Sequence, residues 1–96
     1  MTEIKWSPQA VRDIESIREY IAQDSVRYAE LVAVRIIASV DRLRAFPQSG
    51  RVVPERNDPE IREVIVGSFR VVYRHRPGVV EIATVFRASR LLPSIE

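Results

Sequence analysis

Residues 61–87 read IREVIVGSFRVVYRHRPGVVEIATVFR. Two turn signals divide this run. Gly67-Ser68 is a two-residue hairpin pair of the kind that places glycine at positive φ, and Pro77-Gly78 turns the chain again. Three strands follow, over 61–66, 69–76 and 79–87, which makes a β-meander. In the middle strand Phe69, Val71 and Tyr73 alternate with Arg70, Val72 and Arg74. Period-2 alternation puts the aromatic set on one face and the two arginines on the other.

Working outward, Glu3 to Trp6 alternates with Ile4 and Trp6 on one side and reads as a further strand. Ser7-Pro8 then supplies an N-cap and a proline at the first helical position. Ala10, Ile14, Ile17 and Ile21 keep helical spacing and predict a helix over 8–23. Asp24-Ser25 breaks it and caps a second helix, whose stripe runs Ala29, Val32, Ala33, Ile36, Ile37, Val40 and Leu43 to about Ala45. Phe46-Pro47 stops that helix, because the residue before proline avoids the α region. From Gln48 to Glu60 glycine, prolines and Asn57-Asp58 predict a long loop. The expected fold is a single α+β domain spanning 1–96, in the order β-α-α-β-β-β. It is an antiparallel sheet with a helical hairpin packed on one face. The other face is then open to solvent or a partner, and Arg70 and Arg74 are expected on it.

Composition narrows the chemistry. There is no cysteine, which excludes disulfides, thiolate metal sites and cysteine nucleophiles. One histidine and one methionine offer little to a soft metal, so neither metal nor cofactor is expected. Met1-Thr2-Glu3-Ile4-Lys5 reads as the approach to a strand rather than a signal peptide, and the expected location is cytoplasmic. A chain of 96 residues buries only roughly 60–65% of its unfolded surface, which favours stabilisation by a partner. Of the 15 basic residues 14 are arginines, and the charge is uneven: residues 61–96 hold six arginines against Glu63, Glu81 and Glu96. Arginine is charged at any ordinary pH and presents a planar fork suited to phosphate or carboxylate.

Catalytic constellations are sparse. Ser7, Ser25, Ser39, Ser49, Ser68, Ser89 and Ser94 read as caps, turns or helix positions, with no glycine-flanked serine elbow. Gly50, Gly67 and Gly78 stand apart, so no phosphate-cradling loop is present. Asp13 with Arg12, and Glu15 and Glu19 with Arg18, read as a solvated helix face. His75 lies between Arg74 and Arg76 beside a turn, where a general base could sit but an exposed imidazole is the plainer reading. The arginine set and the long loop remain, and they fit either a nucleic-acid backbone or an acidic protein segment.

Several stretches resemble ParE-like toxins of the ParE/RelE superfamily, a group that includes plasmid stabilisation proteins. They are Trp6-Ser7-Pro8-Gln9-Ala10 with Asp13-Ile14 and Ile17-Arg18-Glu19-Tyr20-Ile21-Ala22, then Phe46-Pro47-Gln48-Ser49-Gly50-Arg51-Val52-Val53-Pro54-Glu55. Ile61-Arg62-Glu63 and Val66-Gly67-Ser68-Phe69-Arg70-Val71-Val72-Tyr73-Arg74 complete the match. Only the residues after Arg87 look unlike a standard member.

The resemblance implies the toxin half of a two-gene toxin–antitoxin module, held inactive by a small antitoxin that wraps it, in assemblies up to a heterotetramer. Two activities occur in the superfamily. RelE-like members cleave messenger RNA on the ribosome, and ParE-like members bind and poison DNA gyrase without hydrolytic chemistry. For the ribonuclease the matching residues are Arg70 and Arg87, with Arg51 or His75. The expected lysines are replaced by Ile61, Arg62 and Glu63, and Leu91-Leu92-Pro93-Ser94-Ile95-Glu96 has no tyrosine. The catalytic arginine position falls at about Ala88, leaving Arg87 on the opposite strand face. The reading is therefore a non-enzymatic gyrase inhibitor, with Arg62, Arg70, Arg74, Arg87 and Arg90 contacting target or antitoxin. A ribosome-dependent endoribonuclease and a degenerate member that only binds antitoxin are the alternatives.

Overall fold

The computed structural model describes residues 2–93 and 95; Met1, Ser94 and Glu96, with the reading of Ser94 given above, lie outside them. Two helices and a five-stranded sheet form in the order β1 (Glu3–Trp6), α1 (Pro8–Ala22), α2 (Val26–Asp41), β2 (Arg51–Val52), β3 (Ile61–Val66), β4 (Phe69–Arg76) and β5 (Val79–Arg87). Both helices start on the expected serines. Ser7 Oγ accepts from Ala10 N at 3.0 Å, and Ser25 Oγ accepts from Tyr28 N at 3.1 Å. α2 ends at Asp41, and its continuation tightens into a 3₁₀ turn, Arg42–Arg44, that buries Leu43. Gly67 and Gly78 take positive φ, as the two hairpin turns require.

The sheet is mixed rather than wholly antiparallel. Its order is β1-β5-β4-β3-β2, and β1 runs parallel to β5. The meander itself is antiparallel because each turn is a hairpin. β1 instead enters beside β5 across the helical hairpin, anchored by Glu3 N donating to the Gly78 carbonyl and Ser7 N to that of Ile82. Its direction is fixed by Ile4 and Trp6, which pack on the helix side, and by the need to feed α1 back over the sheet. The long loop also holds a two-residue strand, β2, paired to β3.

Where β4 and β5 meet, Val72 faces Thr84 while Tyr73 faces Ile82, so Ala83 is the extra residue of a bulge. Ser7 Oγ donates to the Ala83 carbonyl at 2.8 Å. Asp13 Oδ2 accepts from Thr84 Oγ1 at 2.6 Å and from Val85 N at 2.9 Å. Asp13 is thus no part of a solvated face; it carries backbone groups that β1 is too short to reach.

The main core lies between helices and sheet, built on Ile36, Val40, Leu43, Val71, Tyr73, Val80 and Ile82. The outer sheet face is not open as expected. Val53, Ile61, Val72 and Phe86 form a second cluster there, covered by Leu92 and Ile95. Burying a side chain of this size is worth roughly 1.5–3 kcal/mol, so the loop and the C-terminal segment gain by folding over the sheet. Among the described residues no helix is long and apolar enough to cross a membrane.

Candidate partner groove and the arginines beside it

Arg70 lies on the same outer face, enclosed by Glu55, Phe86 and the backbone at Arg90. It is 5% exposed, and Glu63 beside it is 1% exposed. On the β3–β4 hairpin Glu63 pairs with Val72 and Ile65 with Arg70, so Glu63 and Arg70 are diagonal neighbours on one face. Arg70 Nε donates to Glu63 Oε1 at 2.6 Å, and its two terminal nitrogens grip both oxygens of Glu55 at 2.8 Å. One of those nitrogens also donates to the Arg90 carbonyl at 2.8 Å, and the guanidinium carbon stands 4.9 Å from the centre of the Phe86 ring. Glu55 additionally accepts from Leu92 N. The Arg70 hydrogen bonds, helped by that amide, pull the Glu55 carboxyl down to about 2. Arg51 closes the network from solvent, its Nε donating to Glu63 Oε2 at 2.6 Å. The expectation of Arg70 as a free contact residue fails on these facts: its donors are committed inside the fold, and the segment after Arg87 lies over it.

Arg62 is also used internally. It lies on the helix-side face of β3, donating to the carbonyls of Gly50 at 3.0 Å and Pro59 at 3.1 Å. Tyr73 Oη donates to the Pro47 carbonyl and accepts from Gly50 N. Burial raises the Tyr73 pKa, so the phenol remains a donor. These contacts hold the Pro47–Gly50 segment so close that no side chain fits at Gly50.

Arg74 and His75 lie toward the Pro77 turn, where His75 is half-exposed and Arg76 approaches Glu60 at 3.6 Å. Arg87 stands at the other end, opposite Phe69, whereas His75 is opposite Val80. Six residues of strand separate them, about 20 Å. Arg70, Arg87, Arg51 and His75 therefore do not converge, and Arg87 faces the helices while Arg70 faces outward. Among the described residues no cluster of metal-ligating side chains occurs.

Arg87 and Arg90 are brought together. β1 pairs with β5 only as far as Ile82, leaving the β5 edge from Ala83 to Arg87 beside α1 without a neighbouring strand. A groove of about 510 Å³ opens there, lined by Asp13, Ile17, Tyr20 and Ile21 of α1 with Phe69, Arg87 and Arg90. The Arg87 guanidinium carbon lies 5.4 Å from the Tyr20 ring centre and 5.7 Å from that of Phe69. Held between two rings, it offers its donors to the groove without losing rotamer freedom on binding. Ser7 and Asp13 already hold the Ala83 carbonyl and the Val85 amide of this edge, and Arg90 N the Arg87 carbonyl, so the groove offers chiefly an isoleucine floor and the arginines' preference for anions. This suits an extended, partly acidic peptide laid along the groove. Sequence reading missed Asp13, Tyr20 and Phe69 as parts of this groove, and Glu55 and Glu63 as the partners of Arg70.

The family described as the ParE toxin of the type II toxin–antitoxin system, parDE, matches residues 4–92. Toxin RelE2 of Caulobacter vibrioides is 32% identical over 95% of this chain and 100% of its own length. The putative toxin Y4kP of Sinorhizobium fredii is 33% identical over 96% of this chain and 94% of its own. A solved chain of the chromosomal ParDE toxin–antitoxin system from P. aeruginosa has the same fold. It superposes with a TM-score of 0.75 at 21% identity, covering 91% of this chain and 96% of that one. With nearly the whole chain matched, including the hairpin that holds Arg70 and the edge that forms the groove, this chain belongs to the ParE toxin family of type II toxin–antitoxin systems.

Proposed function

We propose that this chain acts as a toxin by binding DNA gyrase rather than by cutting RNA, and that its antitoxin silences it by laying an extended segment in the α1–β5 groove. The burial of Arg70 carries the first half of this reading. The side chain that ribonuclease chemistry would aim at a phosphate is held by Glu55 and Glu63 beneath the C-terminal segment. A transition-state phosphate would have to displace two carboxylates already in bidentate and single contact with it. Arg51 is spent on the same Glu63 carboxylate, and Arg87 and His75 lie on the opposite face, about 20 Å from each other. Losing such electrostatic stabilisers costs about 10²–10³ in rate each.

The groove beside the end of β5, with Arg87 fixed over two aromatic rings, supports the second half. Controlled expression of the chain separates the activities. Filamentation with DNA-damage induction, and inhibition of supercoiling by purified gyrase that is relieved by the antitoxin, are the expected results. Messages cut at ribosomes with gyrase unaffected would overturn the reading, and normal growth with soluble chain present would place it as an antitoxin binder without toxicity.

A further inference from the structure

α2 carries two apolar stripes, and the core uses one. Ala29, Val32, Ala33, Ile36 and Val40 face the sheet and α1. On the outward side Arg27, Leu31, Val34, Ala38 and Asp41 follow one another at steps of four, three, four and three residues, all exposed. That is the spacing of a helix–helix seam. Leu31 is 43% exposed, Val34 61% and the flanking Ile37 52%. This is a large apolar outlay for a helix whose partner side is already satisfied.

The charges at its ends say which partner fits. Arg27 and Asp41 each stand seven residues from Val34, on opposite sides, about 10 Å along the axis. We propose that two copies of this chain pair through α2, antiparallel about a two-fold axis at Val34. In that arrangement Val34 meets Val34 of the second copy and Leu31 meets Ile37 and Ala38. Arg27 at each end lies opposite the other copy's Asp41. A parallel pair would oppose Arg27 to Arg27 and Asp41 to Asp41, so the charge order permits only the antiparallel one. Arg27 has no ion-pair partner among the described residues, and Asp41 holds only the exposed Arg44 at 3.0 Å, which leaves both available. With Val34 at the crossing and Leu31 and Ile37 beside it, the axes would lie about 8–10 Å apart. A single helix pair lies near the lower limit of stable interfaces, so the dimer is concentration-dependent. The α1–β5 groove lies across α1 and stays free in the pair, so dimer formation and groove binding are separate events.

The test is sedimentation equilibrium of the full chain from about 5 to 500 μM, with circular dichroism confirming the fold of each variant. The wild type is expected to pass from monomer to dimer. Arg27→Asp alone and Asp41→Arg alone should each weaken the dimer by about tenfold or more, since both ends turn from attraction to repulsion. Both substitutions in one chain should restore it, and mixing the two single variants should give a heterodimer stronger than either homodimer. A monomer at every concentration overturns the proposal, as does a double variant that stays as weak as the single ones. A Val34→Glu chain that keeps the wild-type mass but loses its antitoxin also overturns it, by assigning the stripe to the other protein.

Discussion

Arg70→Ala tests whether the residue that looks most like a catalytic or contact arginine is in fact a structural one. The substitution deletes a side chain that is 5% exposed and donates to Glu63, to both oxygens of Glu55 and to the Arg90 carbonyl. Glu63, at 1% exposure, keeps only Arg51, whose side chain is 62% exposed. Glu55 can turn to water; Glu63 cannot. Removing one partner of a buried pair costs about 3–5 kcal/mol, and the surviving Arg51 contact places this case near 3. A domain of this length has on the order of 5–14 kcal/mol of stability, so the variant folds but is much weakened. With a urea slope of about 1.5 kcal/mol per molar, the midpoint should fall by about 2 M, read by circular dichroism and Trp6 fluorescence. Glu63→Leu combined with Arg70→Met should recover much of the loss, because replacing both partners by apolar groups removes the stranded charge. Any loss of toxicity in Arg70→Ala cells must then be normalised to the amount of folded chain. An Arg70→Ala midpoint within about 0.5 M of wild type, or a double variant showing simple addition of the two single losses, would refute the structural role.

The same network sets an acid limit. Glu55 titrates at about 2 in the fold against 4.5 ordinarily, a depressed pKa, so its contribution is present above pH 4.5 and is lost as pH falls toward 2. Urea midpoints between pH 6 and pH 2.5 should drop more steeply for the wild type than for Glu55→Gln, and parallel slopes would contradict the assignment. Gly50→Ala places a Cβ at 2.6 Å from Tyr73 Oη and 2.7 Å from the Glu63 carbonyl oxygen, and should cost about 2 kcal/mol or more in thermal melts. Asp13→Ala strands the Val85 amide and the Thr84 hydroxyl, and a loss of about 1–3 kcal/mol with faster hydrogen exchange at Val85 is expected.

The meander was legible because its signals are local. Gly67 and Gly78 punctuate the strands where positive φ is needed, and Ser7 and Ser25 cap the helices within three residues of the amides they satisfy. What escaped reading depends on partners far along the chain. Nothing near residue 13 says that its carboxylate meets residues 84 and 85, because that contact exists only once β1 has stopped short on β5. The parallel direction of β1 is likewise a product of the helical hairpin. The burial of Arg70 depends on Glu55, 15 residues before it, and on the Arg90 carbonyl, 20 residues after it, neither of which any local pattern announces.

The basic half of the chain illustrates why a charge count over sequence is a poor map of a surface. Arg62 and Arg70 find carbonyls or carboxylates within the domain, and Arg51 from the acidic half joins them. An arginine saturated in this way contributes neither field nor donors to a partner. Arg87 and Arg90 lie at the opposite end of the sheet from Arg74, in the groove beside the bare strand edge. There the guanidinium of Arg87 is positioned by aromatic rings, which orient it without neutralising it. Arg87 therefore keeps its donors for the groove, whereas Arg62 and Arg70 have spent theirs inside the fold.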